Sequence, residues 1–326
     1  MIRTRIIGTG RHLPEKIWTN HDLAQFTDTT DEWIRQRTGI EQRHVAAVGE
    51  ATSDIGCEAG KKALDMAGVT PDEIDMVIVS TVTPDHMFPS TGSLLQHKIG
   101  AKRAGGFDIN AACSGFVYGL TVADAMIRAG NCKTILLVGG EVVTNRLNYE
   151  ARDTAVLFGD GAGAVVLRAE EGERGVLTTY LRSDGGEGEL LYMPGGGSKA
   201  PLTPETVRGP EFTVQMKGPE LFKRAVIEFG DAISTALTKS GIPASDIDYF
   251  IPHQANLRII QAAAQRIGFP EDKIIINIQR VGNTTAGSIP IAMDEAVRDG
   301  RIKDGQNILL ASFGAGLTWG SAVLRW

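Results

Sequence analysis

Ala63-Leu64-Asp65-Met66-Ala67-Gly68-Val69-Thr70-Pro71-Asp72-Glu73-Ile74-Asp75-Met76-Val77-Ile78 decides the fold. It returns as Ala236-Leu237-Thr238-Lys239-Ser240-Gly241-Ile242-Pro243-Ala244-Ser245-Asp246-Ile247-Asp248-Tyr249-Phe250-Ile251, an offset of 173 positions. Ala, Leu, Gly, Ile, Asp and Ile coincide. The same offset sets Ile135-Leu136-Leu137 against Ile308-Leu309-Leu310 and Asn110 against Asn283. Self-similarity over such a distance marks a duplication, and a duplication fixes the architecture before any single element does.

Each copy reads as a helix stopped by glycine, a short turn and a buried strand. In the first, Thr52 or Ser53 is suited to cap a helix that runs to about Ala67, with Gly68 as its stop. Met76-Val77-Ile78-Val79 follows as a strand. In the second, Pro219 suits the first turn of a helix whose apolar stripe is Phe222, Val226, Phe229, Ile233 and Leu237, ended near Gly241. Thr134-Ile135-Leu136-Leu137-Val138 and Ala164-Val165-Val166-Leu167 lack polar alternation, as strands covered on both faces do. We expect an α/β protein of two duplicated halves, 1–173 and 174–326, packed about a pseudo-dyad. Gly185–Gly188 and Pro194–Pro201 between them read as loop, either a linker or a segment crossing a binding surface.

Composition narrows the function classes. Apolar residues make up 42% and charged residues 22% of the 326, which is ordinary globular usage and excludes a disordered chain. The net charge is −6, with no dense Lys/Arg block, which argues against nucleic acid or an anionic membrane as partner. The three cysteines, Cys57, Cys113 and Cys132, lack the spacing of a disulfide framework or a zinc site. With no secretory h-region and no apolar run long enough to span a bilayer, a cytoplasmic protein is expected. The 39 glycines are in excess and call for tight turns or close backbone contacts.

Cys113, in Ala111-Ala112-Cys113-Ser114-Gly115-Phe116, stands where a strand gives way to a helix running to about Ala129. A thiol there feels the positive end of the helix dipole, which favours thiolate and makes a nucleophile. A free cysteine can equally be a small buried hydrophobe, the reading kept for Cys57 and Cys132. His253 follows a buried strand directly, in Pro252-His253-Gln254-Ala255-Asn256, and can project into a cleft. His12, His21, His44, His86 and His97 lack that context. Asn283, in Gly282-Asn283-Thr284-Thr285, is the counterpart of Asn110, which sets Ala286 where the first copy has Cys113. One half thus offers the nucleophile, the other His253 and Asn283. Phe158-Gly159-Asp160-Gly161-Ala162-Gly163 and Phe313-Gly314-Ala315-Gly316-Leu317-Thr318-Trp319-Gly320 are followed by β-type residues, so neither forms a dinucleotide-binding fingerprint. The second turn suits an oxyanion site or is plain turn geometry.

Taken in order, these segments, together with Asp31-Glu32-Trp33-Ile34 and Arg37-Thr38-Gly39-Ile40, resemble the thiolase superfamily and, within it, the β-ketoacyl-acyl carrier protein synthase III family over essentially the whole chain. The resemblance implies a five-layer αβαβα fold and a Claisen condensation in two steps. A short acyl-CoA, acetyl-CoA by default, acylates Cys113; malonyl-acyl carrier protein then decarboxylates and attacks the acyl group. It implies an oxyanion hole at Cys113 and Ala315, and hydrogen bonds from His253 and Asn283 to the malonyl thioester oxygen. CoA would be held by Thr29, Trp33, Arg37, Arg152, Gly218 and Asn256, with its adenine between Trp33 and Arg152. Leu157, Phe158 and Phe313 would border the acyl pocket, joined by Phe88 from the partner of a homodimer. Lys223, Gln254, Arg258 and Arg266 would meet the acidic acyl carrier protein. No metal and no organic cofactor is implied, acyl-CoA being a substrate. The other readings are a related acyltransferase of secondary metabolism, a cysteine hydrolase, and a scaffold with a dead site.

Overall fold

The computed structural model describes residues 1–203 and 209–326. Two sheets share one strand order. The first runs β1-β7-β6-β4-β5, from Ile2–His12 (β1), Gly161–Glu171 (β7), Thr134–Glu141 (β6), Met76–Ser80 (β4) and Gly105–Ile109 (β5). The second runs β8-β13-β12-β11, from Gly175–Ser183 (β8), Thr318–Arg325 (β13), Asn307–Gly314 (β12) and Tyr249–Pro252 (β11). A parallel bridge from Phe250 to Ile274 stands where β5 pairs in the first sheet. The 173-residue offset carries the first residues of β1, β4 and β6 onto those of β8, β11 and β12.

Helices Thr52–Ala67 (α3) and Thr91–Ile99 (α4) cover the outer face of the first sheet. Gly115–Arg128 (α5) and Ser288–Arg298 (α10) lie between the sheets, and Gly218–Ser240 (α7) and Leu257–Arg266 (α8) cover the second. Five layers result, αβαβα. The middle one is packed around Phe116, Leu120, Ile289 and Met293, buried against Leu137 of one sheet and Leu310 of the other. Strands covered on both faces read as unbroken apolar runs, and β6 is buried at every residue. A smaller cap holds the ribbon of Lys16–Thr19 (β2) and Gln42–Val45 (β3), with Asn20–Leu23 (α1), Asp31–Thr38 (α2), Arg152–Ala155 (α6) and Ile278–Val281 (α9). It packs around Ile34, Ile40, Leu157, Phe158 and Ile278.

Gly68 and Gly241 stop α3 and α7 in left-handed conformations, as expected of both copies. Two local expectations are corrected. The N-cap of α3 is Ala51, whose N–H donates to Asp54 Oδ2 (2.9 Å), while the Thr52 hydroxyl donates instead to Thr83 O (2.6 Å). The core face of α7 is Leu221, Ala225, Phe229, Ala232, Ile233 and Ala236; Phe222, Val226 and Leu237 of the expected stripe are only half-buried. Small alanines meet the sheet because β12 and β13 pass close beneath the helix. Gly185–Leu190 is a 3-10 turn leading into Leu191–Tyr192 (β9), which pairs with Gln215–Met216 (β10).

Candidate active site

Only two non-glycine residues among those described have positive φ: Ala112 (46°) and Thr285 (45°), themselves 173 positions apart. Left-handed backbone costs an L-residue about 1–2 kcal/mol, so both turns are held by their surroundings. Each opens a 3-10 turn, Ala112–Ser114 before α5 and Thr285–Gly287 before α10, and presents Cys113 or Ala286 at the corner. Ser114 Oγ donates to Thr318 O (3.0 Å), and the Thr318 hydroxyl lies 2.9 Å from both Ala111 O and Ala315 O. The turn after β12 is thereby pressed against the cysteine. A Cβ at Gly314 would stand 2.5 Å from Cys113 Cβ, so no side chain fits there. Ala315 has no left-handed φ, so its methyl is unstrained.

The N–H groups of Ala315 and of Cys113 itself bear on the sulfur and favour thiolate, but burial and the nearby Glu141 carboxylate outweigh them and push the thiol up to about 12. The N–H groups at the helix start do favour thiolate, as the sequence suggests, but desolvation outweighs them. His253 follows β11, its N–H donating to Ala311 O (2.8 Å). Its ring is 2% exposed and neither ring nitrogen has a partner, so burial depresses the imidazole to about 3. An unpartnered buried imidazole is unfavourable unless something completes it. Asn283 is locked on both sides, its N–H donating to Leu157 O (2.9 Å) and its carbonyl accepting from Gly159 N (3.0 Å). Its Oδ1 accepts from Thr285 N (2.9 Å), which leaves the amide nitrogen as its outward donor.

Cys113, His253 and Asn283 line one cavity of about 570 Å³, together with Gly314 and Phe313. Trp33, Arg37, Gly218, Asn256, Leu157 and Phe158 line it too. Sequence reasoning missed Leu191, Met216, Leu221, Ala225 and Phe229, which form its apolar wall. Leu191, between the two glycine-rich loops, contributes to this wall. The signal for Ala225 and Phe229 was the helical spacing of α7, which marks core and wall alike. The Arg152 guanidinium lies 4.4 Å from the Trp33 ring centroid, and Arg37 lies 5.8 Å from it. A ring stacked between Trp33 and Arg152 needs about 7 Å, two contact distances, so Arg152 must swing aside to admit one. The Thr29 hydroxyl is buried without a partner. Phe88 is 85% exposed and is not among the residues that line this cavity. Lys223, Arg258 and Arg266 are exposed on α7 and α8, Arg258 lying 5.9 Å from the Phe222 ring. Gln254 is corrected: it is fully buried, donates to Pro252 O and Ile275 O, and accepts from Asn277 N and Ile278 N. It braces the His253 loop from inside and offers no exposed surface. Among the described residues no helix is long and apolar enough to cross a membrane.

The family description 3-oxoacyl-[acyl-carrier-protein] synthase III matches residues 107–185, and that of its C-terminal part matches 237–326. A relative from Xanthomonas oryzae pv. oryzae, named β-ketoacyl-[acyl-carrier-protein] synthase III, is 50% identical over 100% of this chain and 99% of its own. One of that name from Caldanaerobacter subterraneus subsp. tengcongensis is 49% identical over 100% of this chain and 98% of its own. The crystal structure of the 3-oxoacyl-[acyl-carrier-protein] synthase III of Aquifex aeolicus superposes with a TM-score of 0.93 at 43% identity, covering 99% of this chain and 100% of that one. With half its residues shared along its full length and the same five-layer fold, the chain belongs to the 3-oxoacyl-[acyl-carrier-protein] synthase III family.

Proposed function

We propose that the protein starts fatty acid synthesis by condensing a short acyl-CoA, acetyl-CoA by default, with malonyl-acyl carrier protein to give 3-oxoacyl-acyl carrier protein, CoA and CO2. One observation carries this reading: a thiol facing two backbone N–H groups shares a cavity with an unpartnered neutral imidazole and an outward amide nitrogen. In the first step the Cys113 sulfur attacks the thioester carbon. The N–H groups of Cys113 and Ala315 hold the oxyanion, and CoA leaves as the thiol with the cysteine proton. In the second, malonyl thioester loses CO2, and His253 and Asn283 donate to its oxygen as enolate charge builds. The enolate carbon then attacks the acyl-cysteine and frees the sulfur. Neither step needs a metal or organic cofactor.

Trp33, Arg37, Arg152, Gly218, Asn256 and Thr29 hold the nucleotide end of CoA; Leu157, Phe158 and Phe313 bound the acyl group. The chain acts as a cytoplasmic homodimer in which the exposed Phe88 enters the partner's pocket, and a single-chain mass in light scattering removes that part of the reading. Lys223, Arg258 and Arg266 receive the acidic carrier protein. The division at 173/174 separates the nucleophile's half from that of His253 and Asn283, supported by the shared strand order.

Intact-mass measurement after incubation with acetyl-CoA tests the first step. One acetyl group is expected on the wild type and none on Cys113→Ser; an unmodified wild type overturns the reading. His253→Ala and Asn283→Ala are expected to retain acylation while condensation falls by about 100-fold or more.

A further inference from the structure

Arg43, on β3, is 1% exposed and heads the fully buried side chains by size. Its partners include no carboxylate. Nη1 donates to Asn20 Oδ1 (2.9 Å) and Trp18 O (3.3 Å), Nη2 donates to Val156 O (2.9 Å), and Nε has no partner. Burial lowers the guanidinium to about 10, which leaves it charged at neutral pH. A buried cation whose hydrogen-bond partners are all neutral, with the Asp22 carboxylate acting on it only through space, is costly, and an apolar side chain of that volume would fill the space more cheaply. What the cation holds explains its presence.

On one side, Asn20 Nδ2 donates to Asp31 Oδ1 (2.9 Å) and Ile40 O (2.8 Å), so the amide that Arg43 grips is tied to both ends of α2. That helix carries Trp33 and Arg37 into the cavity. On the other side, Val156 O belongs to the segment whose next carbonyl, Leu157 O, accepts from Asn283 N. The stem of Arg43 fills the space beside Gly159 and Gly282, where an added Cβ would stand 2.9 Å and 3.3 Å from Arg43 Cβ. The planar fork thus reaches the support of the nucleotide end and the turn after α6 that fixes Asn283.

We propose that Arg43 is a positioning residue that sets the Asn283 amide for the decarboxylative step while holding α2 for acyl-CoA. This rests on the role given to Asn283 above. Lysine is a poor substitute, since one ammonium cannot span acceptors lying in two directions.

The test is a double-mutant cycle of Arg43→Met with Asn283→Ala. It reads malonyl decarboxylation, the KM for acyl-CoA, and acylation of Cys113 at saturating acyl-CoA. In the otherwise wild-type enzyme, R43M is expected to lower decarboxylation by about 10–100-fold, as displaced catalytic groups do, and to raise the KM several-fold while acylation stays within about twofold. In the N283A background it is expected to lower decarboxylation no further. If R43M multiplies the N283A loss by the same factor as in wild type, the two act independently and the inference falls while the role of Asn283 stands. If N283A alone retains wild-type decarboxylation, the role of Asn283 is wrong and the inference goes with it. Should R43M not fold, R43K keeps the stem and charge and enters the same cycle.

Discussion

Glu141 closes β6 fully buried, accepting from Thr81 Oγ1 (3.0 Å), Val82 N (3.0 Å), Thr83 N (3.1 Å) and Thr83 Oγ1 (2.7 Å). Burial raises it to about 7, partly offset by the Thr83 bond. The carboxyl is therefore protonated more readily in the fold than in the unfolded chain, whose ordinary value is 4.5. The stability this provides is fully present below the unfolded value and is lost as pH rises through the folded one. Denaturant midpoints of wild type and Glu141→Gln, compared from about pH 4 to pH 8, are expected to show the wild type losing stability relative to the variant on going up in pH. Parallel profiles would refute it. With Cys113 held up and His253 held down, the resting pair at neutral pH is thiol and imidazole, so the nucleophile forms during attack. Sequence made Cys113 and His253 visible through their neighbours; it could not give their ionisation, which depends on Glu141, Ala315 and burial by segments brought in from elsewhere.

At the scale of elements, the close approach of α3 to β1 is set by a residue without a side chain. A Cβ at Gly10 would stand 2.2 Å from Ala59 O and 2.5 Å from Ala63 N, both backbone atoms that cannot give way. Gly10→Ala is expected to destabilise the protein by about 3 kcal/mol, the upper range for overpacking, measured by urea denaturation. A loss near zero would mean that helix and strand slide apart freely. The same demand explains α7. Its large residues suggested a stripe through Phe222 and Val226, whereas the sheet takes Ala225, Ala232 and Ala236 and leaves Phe222 to line the cavity. Helix limits and glycine stops were legible because they are local. Which face turns inward was not, because a helix of alternating large and small residues offers two usable faces.

Over the whole molecule the net charge of −6 repels an acidic partner at long range, so productive encounter relies on local cations. Lys223 and Arg266 are exposed and stand clear of the cavity lining. The double charge reversal Lys223→Glu with Arg266→Glu is expected to lower kcat/KM for malonyl-acyl carrier protein by about tenfold or more at low salt. Activity with free malonyl-CoA should hold; an equal loss with both substrates would instead mark a damaged site. The sequence by itself determined the duplication, the helix–turn–strand unit of each half, and the asymmetry that gives Cys113 to one copy and His253 and Asn283 to the other, because repeats, glycine stops and apolar runs are properties of neighbours along the chain. Tertiary structure alone decided that Cys113 rests as a thiol, that Gln254 faces inward, and that Arg43 joins α2 to the Asn283 segment. Desolvation and hydrogen-bond closure are set by groups far apart in sequence that meet only on folding, Thr318 against Ala111 between the halves and Val156 against Arg43 within the first.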